Sequence, residues 1–277
     1  MSDPVASPEL PKLVEPETLQ IHLDNAQILI VDLSSAQTYA DAHIPGAIRL
    51  DYALIVAERP PAGGTLPDLA HLDKVFSAIG LTKDTHVVAY DRDGNAKASR
   101  LLWTLDVIGH QRNSLLNGGF AAWIDERRPV ESGEPAARQR SDYHGAAPGP
   151  ARADKEYILA HLNDPKVVVV DCRSAAEFTG ADRRSARPGH IPGAVNFDWT
   201  NAVDRVRVTR MKKAGELLAD LAALGVTPDM EAIVHCQTHH RSAHTYMALK
   251  SLGFARVRGY DGSWSEWGND PNLPIEV

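Results

Sequence analysis

His43-Ile44-Pro45-Gly46-Ala47 recurs letter for letter as His190-Ile191-Pro192-Gly193-Ala194. Ahead of each copy stands an apolar run that ends in aspartate, Ile28-Leu29-Ile30-Val31-Asp32 and Val167-Val168-Val169-Val170-Asp171. Continuous apolar runs of this length belong to strands buried on both faces, as in parallel sheets. Behind each copy comes a second such run, Val87-Val88-Ala89-Tyr90-Asp91 and the Ala232-Ile233-Val234 that leads to Cys236. Gly118 to Trp123 is then echoed by Gly262 to Trp267. Landmarks repeated in one order are the mark of a duplication. Helical spacing follows the second run in both halves: near Ala98 to Val107, ended by Gly109, and through Ala243, Met247, Ala248 and Leu252, ended by Gly253. Strands alternating with helices make each half an α/β domain with a mainly parallel sheet flanked by helices.

Local signals fill in the rest. Residues 12 to 24 read as a short helix, and Tyr39 to Ala47 as a helix running into a proline–glycine turn. From Glu131 to Arg152 the composition shifts to Pro, Gly, Ala, Ser and charge, which is the signature of a linker. The domains are therefore expected at 8–130 and 153–277, with 131–152 between them.

The halves differ where chemistry would sit. Cys236-Gln237-Thr238-His239-His240-Arg241-Ser242 joins a strand tip to a helix start, the end of a parallel sheet where ligands gather. Loop N–H groups and the positive helix end favour a thiolate there, and Arg241 adds a fixed charge. A buried core cysteine is the plainer possibility. It fits badly beside Gln, Thr, two His and Arg. Asp91 occupies the equivalent station in the first half, which leaves that half without a nucleophile, as a scaffold and a wall of the cleft. The second half also has a longer approach to its repeated turn: Asp171 and His190 lie 19 positions apart, against 11 between Asp32 and His43. Arg183, Arg184 and Arg187 cluster in that insertion, as a solvated basic loop or as an anion site. Cys172 reads as a buried small hydrophobe, Trp264 and Trp267 as packing, and the two His-Ile-Pro-Gly-Ala turns as structural.

The chain has 277 residues, 43% hydrophobic and 23% charged, ordinary for a globular protein of two domains. Two cysteines make no disulfide framework and suit a reducing compartment, so the cytoplasm is expected. Met1 to Pro11 lacks the basic flank and apolar block of a secretory signal. No run approaches the ~20 apolar residues of a membrane helix. A net charge of −7 argues against a general nucleic-acid surface, though not against a small anion held by local arginines.

With these residues in view, the chain resembles the two-domain, single-active-site rhodanese sulfurtransferases of the thiosulfate:cyanide, bacterial type. Tyr39 to Ala47 fits the family's amino-terminal signature, aromatic-x3-His-Ile-Pro-Gly-Ala, and Tyr260 to Trp267 its carboxy-terminal one. The resemblance implies tandem rhodanese-like domains and a ping-pong reaction. Cys236 would take sulfane sulfur from a small anionic donor such as thiosulfate and pass it, as a persulfide, to cyanide or a thiol. Dithiols and a thioredoxin-like protein are among the expected acceptors, and no cofactor beyond the covalent persulfide is required. Gln237, Thr238, His239, His240 and Ser242 would form the active loop, and Arg183, Arg184 and Arg241 would bind the donor. Arg183 best matches, by spacing, a substrate-binding arginine of the mercaptopyruvate branch. The loop departs from both better-known branches: Thr238 stands where the animal thiosulfate branch has lysine, and Gln-Thr-His-His-Arg replaces the Gly-Ser-Gly-Val-Thr of the mercaptopyruvate branch. His239 and His240 would partly replace the missing lysine charge.

Four other readings share these residues. A 3-mercaptopyruvate sulfurtransferase or a persulfide carrier serving another protein would use the same cysteine. A cysteine phosphatase or arsenate reductase needs Cys-x5-Arg, whereas Arg241 gives Cys-x4-Arg. Metal binding by His235, Cys236, His239, His240 and His244 lacks the second, separated ligand pair usual in structural sites.

Overall fold

The computed structural model describes residues 10–134 and 138–277. The expected domain start at residue 8, the stretch before Leu10 and residues 135–137 of the expected linker lie outside the described residues. In the first half, strands β1 (Leu13–Val14), β2 (Ile28–Asp32) and β3 (Ile48–Arg49) are followed by an antiparallel hairpin, β4 (Ala57–Arg59) and β5 (Ala62–Thr65). Then come β6 (His86–Tyr90) and β7 (Asn113–Leu116). The second half repeats the plan with β8 (Arg152–Ala153), β9 (Val167–Asp171), β10 (Val195–Asn196), hairpin β11 (Val203–Asp204) and β12 (Arg210–Met211), β13 (Glu231–His235) and β14 (Arg256–Tyr260). The sheets run β1-β7-β6-β2-β3 and β8-β14-β13-β9-β10, all parallel, so the strand order is the same in both.

Every residue of β2, β6 and β13 is buried, as their unbroken apolar runs require. Helices α1 (Pro16–Gln20), α2 (Ala36–Asp41), α3 (Leu69–Ala78), α4 (Ala96–Val107) and α5 (Gly119–Asp125) belong to the first half. Helices α6 (Lys155–His161), α7 (Ala175–Phe178), α8 (Ala214–Ala223), α9 (Arg241–Ser251) and α10 (Ser263–Trp267) belong to the second. The inner faces of both sheets drain into one core, where α4 packs on α9 and Tyr246 donates its hydroxyl to Asp106 Oδ2 at 2.9 Å. The outer faces close two smaller cores, around Trp123 in one half and Trp264 and Trp267 in the other.

Three local expectations are corrected. Leu13 and Val14 form an edge strand rather than a helix, because the carbonyls of Lys12 and Val14 accept from Leu115 and Asn117 at 2.8 Å. Pro16 then opens α1, where its missing N–H costs nothing. Helix α2 stops at Asp41, since Ala42 turns extended (φ −165°) ahead of the proline turn. The linker is not loose where described: Ser141 N–H donates to Ser77 O, Gly149 N–H to Val107 O, Tyr143 is buried, and Arg152 already lies in β8.

The repeated turns are structural in the same way twice. Gly46 N–H donates to Glu131 Oε2 and Gly193 N–H to Glu276 Oε2, each at 3.1 Å. Each half also lends its hairpin to the other. Leu66 N–H donates to Asp261 Oδ2 at 2.7 Å, and Met211 N–H to Asn117 Oδ1 at 2.8 Å. One hairpin therefore roofs the loop that follows β13.

Candidate active site

Strand β13 delivers Cys236 to the carboxyl edge of the second sheet, residues 237–240 turn back, and α9 begins at Arg241. Two carbonyls of this loop are held by α10: Trp264 N–H donates to Cys236 O at 2.9 Å and Ser265 N–H to Gln237 O at 3.0 Å. His239 sits in the left-handed region, φ 53°, and its Nδ1 pairs with Ser242 Oγ at 2.8 Å. Its ring stands edge-on to Trp103, centroids 4.3 Å apart. Gly259 lies beneath: a Cβ there would come within 2.3 Å of His239 Nε2 and 2.4 Å of Trp103 Nε1, so only glycine fits. From the roof, a Cβ on Gly64 would meet Thr238 O at 2.6 Å. The loop is pinned on every side.

Cys236 is 1% exposed. Burial pushes its thiol up, but the Arg241 guanidinium, the Ser242 hydroxyl and N–H, and the Thr238 N–H together hold it below its ordinary value. The loop thus favours sulfur as an anion surrounded by donors. Arg241 is itself aimed by a carboxylate: its Nη1 and Nη2 donate to Glu177 at 2.6 and 2.8 Å. Ser174 and Glu177 form a reciprocal capping box that fixes the carboxylate in turn. Burial works against the ionised Glu177, yet Arg241, the Ser174 N–H and Arg184 together outweigh it and draw the carboxyl down to about 2.

The insertion lies against this loop, but its three arginines part ways. Gln237 Nε2 donates to Ser185 Oγ at 3.2 Å and to Arg184 O at 3.3 Å, which stitches loop to insertion. Arg184 is half exposed, pairs with Asp182 at 3.0 Å and lies 3.6 Å from Glu177 Oε1, on the same carboxylate as Arg241. Arg183 is exposed and donates to its own loop's carbonyls, Ser185 O at 3.0 Å and Ala186 O. Arg187, grouped in sequence with the anion-binding candidates, instead binds Leu273 O at 2.7 Å and Trp267 O at 2.8 Å. Its guanidinium ties down the carboxy-terminal segment.

The histidines do not supply the charge expected of them. Burial, with the nearby cations Lys97, Arg100 and Arg241, pushes His240 down to about 4, and burial first of all pushes His239 well down too. Both rings are neutral near pH 7. The five candidate metal ligands also diverge: His235 Nδ1 turns to Cys236 O, His239 to Ser242 and Trp103, His240 to Tyr52, and His244 to Trp199. Among the described residues no group of three His, Cys, Asp or Glu could hold a metal ion. Cys172 is fully buried, and burial pushes its thiol well up.

The first half is more than a wall. In its own loop the Asp91 carboxylate accepts from the N–H groups of Asp93 and Asn95 on Oδ1, and of Lys97 and Ala98 on Oδ2, at 2.7–3.0 Å. It also sends Tyr52, Arg100 and Trp103 to the Cys236 loop, none of which sequence reasoning singled out. Glu177 was missed as well, although Ser174-x-x-Glu177 is legible as a capping box.

Among the described residues no helix is long and apolar enough to cross a membrane. The rhodanese-like domain family model matches residues 15–126 and again 154–270. A protein of Azotobacter vinelandii named thiosulfate sulfurtransferase is 42% identical over 274 residues, covering 97% of this chain and 98% of its own. One of the same name from Pseudomonas aeruginosa is 42% identical over 276 residues, with the same coverage. Among solved structures, SseA of Escherichia coli, titled for the rhodanese fold and 3-mercaptopyruvate sulfotransferases, superposes with a TM-score of 0.81. It shares 28% identity and covers 92% of this chain and 99% of its own. Two matched domains of one strand order, and relatives 42% identical over nearly the whole chain, place this chain in the rhodanese family.

Proposed function

We propose that the chain moves sulfane sulfur from thiosulfate to cyanide or a thiol through a persulfide on Cys236. The observation that carries this reading is the cysteine itself, its thiol held low by Arg241, Ser242 and Thr238 at the mouth of a parallel sheet. The Cys236 thiolate attacks the outer sulfur of thiosulfate, the S–S bond of the donor breaks, and sulfite leaves with the bonding pair. Loop N–H groups that face the thiolate then face the persulfide. Cyanide attacks the terminal sulfur, thiocyanate departs and the thiolate returns; a thiol or dithiol acceptor, such as a thioredoxin-like protein, enters at the same step. No base is needed, since the nucleophile is already an anion. The cycle closes on the cysteine, without a resident cofactor. Arg241 and Arg184 share the rim and suit a dianionic donor. Two unpaired cysteines suit a reducing compartment such as the cytoplasm.

Intact-protein mass spectrometry tests the reading. Thiosulfate should add one sulfur to the chain and cyanide should remove it; a chain that gains nothing overturns the proposal. A second reading, 3-mercaptopyruvate as donor, is favoured by the SseA superposition and by the Thr238 hydroxyl, two residues past the cysteine.

A further inference from the structure

Arg100 is the largest polar residue of the first half to be wholly buried, at 0% exposure. It lies on α4, stacks over Trp103 at 4.6 Å, and its Nη1 reaches across the domain boundary to His239 O, 3.5 Å away. Its Nε and Nη2 have no hydrogen-bond partner among the described residues. A buried guanidinium without a carboxylate is costly, because desolvation of a charge is recovered only by an opposite charge nearby. Asp261, an acidic side chain whose charge Arg100 feels, is already taken by Arg152 at 2.8 Å and by Leu66 N–H. The Arg100 charge favours the negative forms of the groups around it, the Tyr52 phenol, Asp261 and the Cys236 thiol.

The duplication supplies a control inside the molecule. Ala98 N–H reaches Asp91 as Ser242 N–H reaches Cys236, and two residues on from each stand Arg100 and His244. Each faces the other half's loop: His244 packs on Trp199, whose ring lies against Gly94 in the Asp91 loop. That loop already satisfies its anion with N–H groups and is met only through Trp199 by a histidine that burial keeps neutral, its pKa lowered to about 4. The loop carrying the sulfur anion receives the arginine.

We infer that Arg100, a residue of the half without a nucleophile, is a positioning residue of the Cys236 loop, bracing it at His239 and bringing a buried positive charge to that loop. The inference rests on the proposed persulfide chemistry. Other charged or titratable groups are packed around the same loop: Arg241 with Glu177 from α9 and α7, His239 and His240 within it, His235 with Asp171 and Arg173, Asp261 with Arg152, Tyr52 against His240, and Cys172 on the neighbouring strand. The test must therefore change Arg100 alone.

In a Cys172→Ala background, which leaves one thiol, the rate of iodoacetamide alkylation against pH gives the Cys236 pKa. Arg100→Gln and Arg100→Met should raise it by about one unit, cutting the thiolate fraction below that pKa about tenfold, while Arg100→Lys should restore at least half the shift. Merely structural damage would lower the thermal midpoint without this separation of neutral from charged variants. A folded neutral variant that titrates like its parent overturns the inference. Should both neutral variants fail to fold, the unmutated chain still decides. With 15N-labelled arginine, the Arg100 Nε–H signal, assigned through Arg100→Lys, should move with the Cys236 titration and stay still in Cys236→Ser. A signal that ignores the thiol overturns the inference equally. Sulfur loading of the unmutated chain is measured separately, so a failed persulfide and an unmoved thiol pKa are distinct results.

Discussion

Asp91 and Cys236 stand at equivalent loop tips, and each is wrapped by N–H groups of its own loop, Asp93, Asn95, Lys97 and Ala98 in one, Thr238 and Ser242 in the other. A carboxylate fills the space that the second half leaves for sulfur. The first expected outcome follows. Asp91→Ala strands two buried N–H groups, of Asn95 and Ala98, at about 1–3 kcal/mol for each left unsatisfied, and two half-buried ones, of Asp93 and Lys97. Thermal melting should show a clear loss of stability, and the alkylation rate of Cys236 in the folded variant should stay close to the parent's. A variant of unchanged stability would mean that the carboxylate does not organise its loop.

Cys236→Ala or Cys236→Ser should abolish sulfur transfer, whereas Cys172→Ala should retain most of it. Cys172 lies at the end of β9, beside the strand that leads to Cys236, but burial pushes its thiol well up. Thiol counting near neutral pH should therefore find one fast-reacting group. Substantial turnover in Cys236→Ala would remove the mechanism.

Glu177 links acid stability to the site. Its folded pKa, about 2, lies below the ordinary 4.5, so its stabilisation is complete above about pH 4.5 and fades as pH falls toward 2. That limb is worth at most about 3 kcal/mol. Glu177→Gln should flatten it, a result read from melting curves between pH 5 and 3. Because Glu177 aims Arg241, kcat should drop as well; Arg241→Ala should lower kcat and affinity together. Full kcat in either variant would separate the ion pair from the chemistry.

The fold was legible because a parallel sheet buried on both faces writes itself as unbroken apolar runs, and because duplication repeats them. Cys236, Arg241 and the loop between them were legible for the same local reason, a strand tip running into a helix. What escaped was set by packing across distance. Arg100 and Trp103 lie in the apolar helix α4 more than 130 residues from the cysteine loop they brace. The diverging fates of Arg183, Arg184 and Arg187 depend on which carbonyl or carboxylate the fold brings up to each, and spacing carries no trace of that. The neutrality of His239 and His240 is likewise a consequence of burial.

The insertion arginines should separate by experiment. Arg184→Ala should raise KM for an anionic donor with little change in stability, as exposed charges add little to folding. Loss of one charge-assisted contact is worth about 1.5–3 kcal/mol of binding. Arg187→Ala should do the reverse, lowering the melting midpoint by freeing the Leu273 and Trp267 carbonyls while sparing KM. Equal KM effects for the two would leave the insertion no more than a surface loop.

Thiosulfate should be used with a higher kcat/KM than 3-mercaptopyruvate. Arg241 and Arg184 converge on Glu177 at the rim, and although Glu177 and Asp182 balance their charge, their guanidinium N–H groups stand where a compact dianion would enter and sulfite would leave. A carboxylate donor of single charge gains less from those N–H groups. Thr238 offers a hydroxyl, but its carbonyl is pressed against Gly64 of the roofing hairpin, so the loop has little room to reshape around a larger donor. The histidines add no charge to the contest: with His240 near 4, donor KM should not fall between pH 6.5 and 5.5. His240→Ala should then affect both donors alike, through lost packing on Tyr52. Steady-state kinetics with cyanide as the common acceptor decide between the donors. A tenfold preference for mercaptopyruvate, or a thiosulfate KM that drops on acidification, would overturn the assignment of the rim.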